Sequence, residues 1–298
     1  MGRDALNTTT TVRASSHGTI EDYVCADGTI VVPDGVTMTS FLESNRAAFG
    51  DAPSYRFVDY SSDPDGRVIE LSWNGLWTQV CSIGARLQQV TSPGDRVAIL
   101  APQGLDYVSA FFAAVHAGNI AVPLFAPSLA GHAERLAAVL ADAKPSVVVT
   151  TTAASESVRN FLRTLPAADR PRMIAVDAVP DSLAPTFTAV ARDTDDAAYL
   201  QYTSGSTRLQ VGVIISNRNL QVNFEQMMAD VFADRHGVPP ADMLIVSWLP
   251  LYHDMGLMVG VAAPILGGFQ AELISPIAFL QRPARWLCAM ARDRRPTW

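Results

Sequence analysis

The sequence predicts an α/β protein built on doubly wound, mostly parallel sheets, and three observations carry that prediction. Short apolar segments alternate with amphipathic ones from Arg96 to Asp177. The apolar segments, such as VAIL at 97–100 and VVVT at 147–150, are continuous rather than alternating. Strands covered on both faces read this way. The same alternation resumes after a stretch at 181–196 that is rich in Pro, Thr and Asp. A repeated βα order of this kind specifies helices on both faces of a parallel sheet.

The elements follow in chain order. Asp27-Gly28 and Asp34-Gly35 mark turns around a short strand, Thr29–Val32. Ser40 and Glu43 are spaced as a capping box, followed by an apolar helix that Gly50 stops. After Ser72, Leu76, Val80, Ile83 and Leu87 recur at helical spacing. Pro93-Gly94-Asp95 turns into a strand at Arg96–Leu100, and a helix from Asp106 ends at Ala117 before Gly118. Strand 120–123, helix 133–143, strand 146–151, helix 156–165 and strand 172–177 complete this run. Beyond the 181–196 stretch, taken as a linker, come strand 197–202, a Ser/Thr/Gly loop, strand 211–215 and a helix from Ser216 or Asn217 to Phe232. Strand 243–247 leads into WLPLYHDMG, an apolar helix, a strand at 271–274 and a last helix from Pro283. The expected organisation is a disordered leader at 1–24, a first α/β subdomain at 25–190, and an incomplete second α/β subdomain at 191–298.

Bulk properties narrow the function classes. The chain has 298 residues, of which 49% are hydrophobic, enough for a large core. A net charge of −7 gives no general attraction for nucleic acid or anionic membrane. The longest apolar stretch, Leu257 to Phe269, falls short of the roughly 18 residues of a spanning helix and contains glycines and a proline. No integral membrane segment and no nucleic-acid partner are therefore expected. The polar N-terminus lacks a signal core, and Cys25, Cys81 and Cys288 show neither metal-ligand nor disulfide spacing. A reducing, cytoplasmic setting is the expectation, with no metal site. Lys144 is the one lysine.

Two segments carry chemistry. Thr203, Ser204, Gly205, Ser206 and Thr207 are five consecutive small residues between two strands. Their N–H and hydroxyl groups could hold phosphate oxygens, with Gly205 permitting close approach. An ordinary polar turn is the other open reading. The Gly-Lys-Ser/Thr ending of a Walker A loop is missing. In Ser247–Leu257, Pro250 and Gly256 bracket a turn that presents Tyr252, His253 and Asp254 just after a buried strand. Ligands of open α/β sheets sit outside the carboxyl ends of strands. His253 there could orient a carboxylate or phosphate, or could form a structural pair with Asp254 that caps the next helix.

Together, YTSGST and, about fifty residues later, LPLYHDMGL resemble the adenylate-forming superfamily of acyl-CoA synthetases, luciferases and nonribosomal peptide adenylation domains. Within it the sequence is most similar to the fatty acyl-AMP ligases. LQYTSGSTR with Arg208, NFEQ at 223–226, SWLPLYHDMGL and FLQRPARW at 279–286 look like that branch, as do YRFVDY, PGDRVAIL and AVPLFAP upstream. The resemblance runs from about Gly28 to the end. Where relatives often read Arg-x-Pro-x-Gly after the loop, Gln210 replaces the proline and Gly212 is kept.

The resemblance implies the N-terminal fold of an adenylate-forming enzyme and ATP-dependent activation of a fatty acid to acyl-adenylate, with Mg²⁺. Thr203–Thr207 would close on the ATP β- and γ-phosphates, and His253 would sit by the α-phosphate and the acyl carboxylate. Met255, Gly256 and Leu257, opening the 255–268 segment, would line the acyl tunnel. The acyl group would pass to an acyl carrier protein or polyketide synthase in lipid biosynthesis. The family's adenine-binding segment, ribose-binding aspartate, hinge and C-terminal catalytic lysine do not occur in this sequence, so the isolated chain is expected to be truncated and inactive. An inactive remnant or an acyl-CoA ligase-type fragment is the alternative.

Overall fold

A computed structural model describes residues 30–32, 34–127, 133–203, 211–235, 237–240 and 242–292. The expected leader at 1–24 and Thr29, the start of the first expected strand, lie outside these residues. Ile30 makes a single bridge, and Val32 is buried.

Among the described residues, ten strands form two sheets. The six-stranded sheet holds β3 (Arg96–Ile99), β4 (Ile120–Pro123), β5 (Val147–Thr150), β6 (Arg172–Ala175), β7 (Ala197–Tyr202) and β8 (Gly212–Ser216), in the order β6-β5-β3-β4-β7-β8. All pairings in it are parallel except β7 with β8. The four-stranded sheet has the order β2-β1-β10-β9, from β1 (Pro53–Asp59), β2 (Arg67–Ser72), β9 (Leu244–Ser247) and β10 (Gln270–Ile274). Here β1 and β2 form an antiparallel hairpin, and β10 lies parallel to both β1 and β9. The mostly parallel α/β fold expected from the apolar strands is the fold observed.

Side-chain alternation divides the core into layers. Along β3, Val97 and Ile99 enter one apolar cluster while Ala98 and Leu100 enter another. Helices α4 (Ala133–Ala143) and α5 (Ser155–Thr164) cover the second face through Leu136, Val139, Leu140, Val158 and Phe161. The first face packs on α2 (Trp73–Gln88) and α3 (Leu105–His116), whose other side meets Tyr55, Ile245, Ala271 and Leu273 of the four-stranded sheet. The outer face of that sheet, through Val58, Leu244, Val246 and Ile274, is covered by α9 (Pro276–Gln281) and α10 (Ala284–Arg292). Helix α3 is therefore covered by both sheets. That is why α3 carries Val108, Phe111, Phe112, Ala113 and Ala114 fully buried.

The sheets cross the expected boundary at residue 190. β7 and β8 lie beyond it yet complete the six-stranded sheet; β1 and β2 precede it yet form half of the four-stranded one. Burial selects the sheet neighbours, and β10 finds its parallel partner in β1, with Tyr55 opposite Ala271. The stretch 181–196 is a strap rather than a free linker. It starts in a 3₁₀ turn at Asp181–Thr186, and Ser82 Oγ donates to the Asp181 carbonyl (3.2 Å). Gln88 exchanges two hydrogen bonds with the Thr188 backbone (2.7 and 3.1 Å). Phe187 stacks on His116 (4.4 Å between ring centres) and packs over Gly84.

Local caps follow sequence chemistry, with one shift. The capping box of α1 (Met38–Phe49) is made by Thr37 and Ser40, one turn before the expected Ser40–Glu43 pair. Ser72 caps α2, and Ser216 with Asn219 caps α6 (Asn217–Val231). Cys81 is buried and Cys288 exposed, both as free thiols. Among the described residues, no helix is long and apolar enough to cross a membrane.

Candidate active site

The segment after β9 is built by local chemistry. Leu249 N–H bonds back to Ser247 Oγ (3.3 Å), and His253 N–H closes a turn onto the Pro250 carbonyl (3.0 Å). His253 is the extended N-cap residue of α7 (Asp254–Leu257), and its carbonyl accepts from Leu257 N–H (2.8 Å). A Cβ at Gly256 would collide with the Pro250 carbonyl oxygen, so only glycine lets α7 start this close to the turn. The chain continues as a π-helical turn at Met258–Ala262 and α8 (Ala263–Gly267). Pro264 has no N–H to offer the Gly260 carbonyl, which favours the wider register there. Such π segments occur frequently at functional sites.

The His253 and Asp254 side chains project outward, with 62% and 63% of their surfaces exposed. Asp254 Oδ1 lies 2.6 Å from His253 Nδ1 and accepts the Met255 N–H at 2.7 Å. Asp254 thus ties the ring to the first turn of α7, and most of the imidazole stays exposed.

Beside this pair lies a cavity of about 880 Å³ between the two sheets. One wall is α6, through Leu220, Asn223 and Met227; the other is Asp254, Met255, Met258 and Val259. The end of β9, from Val246 to Leu249, and Trp286 of α10 close a third side, and Tyr199 of β7 faces them. Trp248 stacks flat on Phe279 (3.8 Å, 5°), and Trp286 Nε1 donates to the Val246 carbonyl (2.9 Å), so the aromatic wall is anchored. Among the described lining residues, Asp254 carries the charge and the remainder are apolar or neutral. Burial, and secondly the Asp254 charge, push the Tyr199 hydroxyl well above its ordinary value, so it remains a neutral donor.

Of the sequence-derived site residues, the structure brings together Thr203, His253 and Met255. Thr203 is exposed where β7 ends, and Gln201 on β7 donates to the Tyr252 carbonyl (3.0 Å), which joins that strand end to the His253 turn. Ser204, Gly205, Ser206 and Thr207 lie outside the described residues. Met255 is on the cavity wall, whereas Gly256 and Leu257 sit behind it, Leu257 in the core at 1% exposure. Helical geometry turns the Leu257 side chain away from that of Met255. Sequence reasoning missed Tyr199, Trp248, Met227 and Gln103. The available signal was position: each lies on or just beyond a strand, or on the helix that follows one.

Residues 42–298 match the AMP-binding enzyme family, and the chain belongs to it. It is 47% identical over 260 residues to FadD21 of Mycobacterium leprae, which is named for fatty-acid–CoA ligase activity. That match covers 87% of this chain and 45% of the relative. It is 47% identical over 272 residues to the long-chain-fatty-acid–AMP ligase FadD32 of Mycolicibacterium smegmatis, covering 91% of this chain and 42% of that one. A solved fatty acyl-adenylate ligase from Legionella pneumophila, in complex with acyl adenylate and pyrophosphate, superposes with a TM-score of 0.75 at 28% identity over 86% of this chain and 42% of that one. The chain thus spans less than half the length of each of these three relatives.

Proposed function

We propose that this chain serves an AMP-forming fatty acid ligase. A fatty acid's carboxylate oxygen attacks the α-phosphorus of ATP, the bond to the β-phosphate oxygen breaks, and acyl-adenylate and pyrophosphate result. The acyl group then passes, with loss of AMP, to the phosphopantetheine thiol of an acyl carrier protein or polyketide synthase, in cytoplasmic lipid biosynthesis. The observation that carries this reading is the apolar cavity whose walls include Met255 and Met258 and whose one charged lining residue, Asp254, is the partner of His253. An alkyl chain fits such a lining, and its carboxylate would remain near that polar pair.

Each residue then has a task. Thr203, Ser204, Gly205, Ser206 and Thr207 hold the β- and γ-phosphates, with Mg²⁺ arriving on the nucleotide as part of the substrate. His253 orients the carboxylate and α-phosphate. Because the nucleophile is the substrate's own oxygen, the protein contributes placement and charge stabilisation. Met255 contacts the alkyl chain, while Gly256 and Leu257 fix the wall it stands on.

The test is ATP–pyrophosphate exchange over a series of saturated fatty acids of increasing length, run on this chain joined to the remaining part of a relative, with the chain alone expected to stay at background. In the joined chain, exchange that depends on both substrates is expected, and His253→Ala should lower it by about 2–4 kcal/mol in barrier terms. Exchange there that ignores the fatty acid, or none above background, contradicts the reading. The name of FadD21 supports a second reading, coenzyme A as the thiol acceptor. Offering coenzyme A and a carrier protein in parallel separates the two.

A further inference from the structure

The turn that presents His253 belongs to the four-stranded sheet, while Thr203, the residue it must oppose, extends from the six-stranded one. Its own backbone bonds fix its shape but not its position relative to that second sheet. Two glutamines span the gap. Gln103, in the connection between β3 and α3, donates through Nε2 to the carbonyls of Leu249 and Ile274, both at 3.1 Å. Its Oε1 accepts the Leu251 N–H at 3.3 Å. Gln201, 95% buried on β7 (5% exposed), donates to the Tyr252 carbonyl at 3.0 Å. Three of the four residues before His253, and the end of β10, are thereby held by side chains from the opposite sheet.

We propose that Gln103 and Gln201 are positioning residues that set where His253 stands relative to the end of β7. At position 103 a carboxamide suits this task because it donates and accepts at once, whereas Gln201 acts through its Nε2 donor, its Oε1 being buried without a partner among the described residues. Glutamate at 103 could still accept from Leu251 but would face two carbonyl oxygens without a donor, and leucine could do neither. This inference rests on the reading of His253 as a site residue. Neither glutamine is placed against substrate; each acts through the backbone of 249–252.

The experiment follows the His253 imidazole signals by NMR in the full chain, assigned by their loss in His253→Gln, with His116 as an internal control for the fold. In Gln103→Leu, Gln103→Glu and Gln201→Leu, the His253 signals are expected to shift or split while those of His116 stay in place. Where Gln103→Leu does not fold, Gln103→Glu and Gln201→Leu decide. Fatty-acid-dependent exchange should lose roughly tenfold to a hundredfold in kcat with little change in fatty-acid KM, as expected for misplaced groups. That exchange is read in the chain joined to the remaining part of a relative; if it is absent there without any substitution, the proposed function fails while the imidazole signals still judge the positioning role. Unmoved His253 signals in the folded variants would overturn it.

Discussion

His116 shows how a single buried group leaves a measurable mark. Its ring is sandwiched between Trp77 (5.1 Å) and Phe187 (4.4 Å), and its Nε2 is buried without a hydrogen-bond partner among the described residues. Burial lowers its pKa from 6.5 to about 4. The unfolded chain therefore takes up a proton that the folded chain refuses. The neutral ring's contribution is complete above pH 6.5 and is lost as pH falls toward 4, by up to about 3 kcal/mol. Denaturant midpoints measured across that window for the protein and for His116→Phe should diverge at the acid end, with the variant flatter. Parallel curves would show that the ring is hydrated. At Gly256 the effect is steric. Gly256→Ala should destabilise by about 1–3 kcal/mol, or displace the His253 turn, because the added methyl meets the Pro250 carbonyl. Urea unfolding reads the first outcome and the His253 signals the second.

At the scale of elements, the strap at 181–196 invites a direct test. Phe187→Ala removes the ring stacked on His116 and packed over Gly84. Faster protease cleavage within 181–196 is expected, with the rest of the chain intact; unchanged cleavage would mean that the Gln88–Thr188 bonds hold the strap alone. The sequence made most elements legible. Strand 120–123, helix 133–143 and strand 197–202 occur at the positions their patterns predict, because continuous apolar runs and end signals decide them locally. β1 and β2 were missed as strands. Their residues alternate weakly, Val68 and Ile69 remain exposed, and their sheet is completed by β10 from the far end of the chain. The strap was read as a linker for a related reason: Pro, Thr and Asp report a non-helical backbone and say nothing of a phenylalanine that docks between two helices. At the site, the turn after β9 drew attention to His253, and the family resemblance to Met255. Gln103 and Tyr199 were hidden, since a glutamine after a strand and a tyrosine within one gain meaning only when the second sheet arrives.

At the scale of the molecule, the two sheets converge with the carboxyl ends of β3, β7, β9 and β10 around one region. Gln103, Gln201, Leu249 and Ile274 are hydrogen-bonded there, and the cavity opens beside them. Open α/β sheets bind ligands at such ends, and here two sheets supply them together. The central claim is that this cavity receives the alkyl chain of a fatty acid. The most direct measurement is photo-crosslinking with a fatty acid carrying a diazirine along its chain, followed by peptide mapping. Adducts are expected on α6, on the end of β9 and on the turn at 258–262, with Met227 and Met258 among the labelled residues, and excess unlabelled fatty acid should suppress them. Labelling confined to the exposed apolar side chains Ile277, Leu280 and Leu287 of α9 and α10, or insensitive to competitor, would contradict the claim.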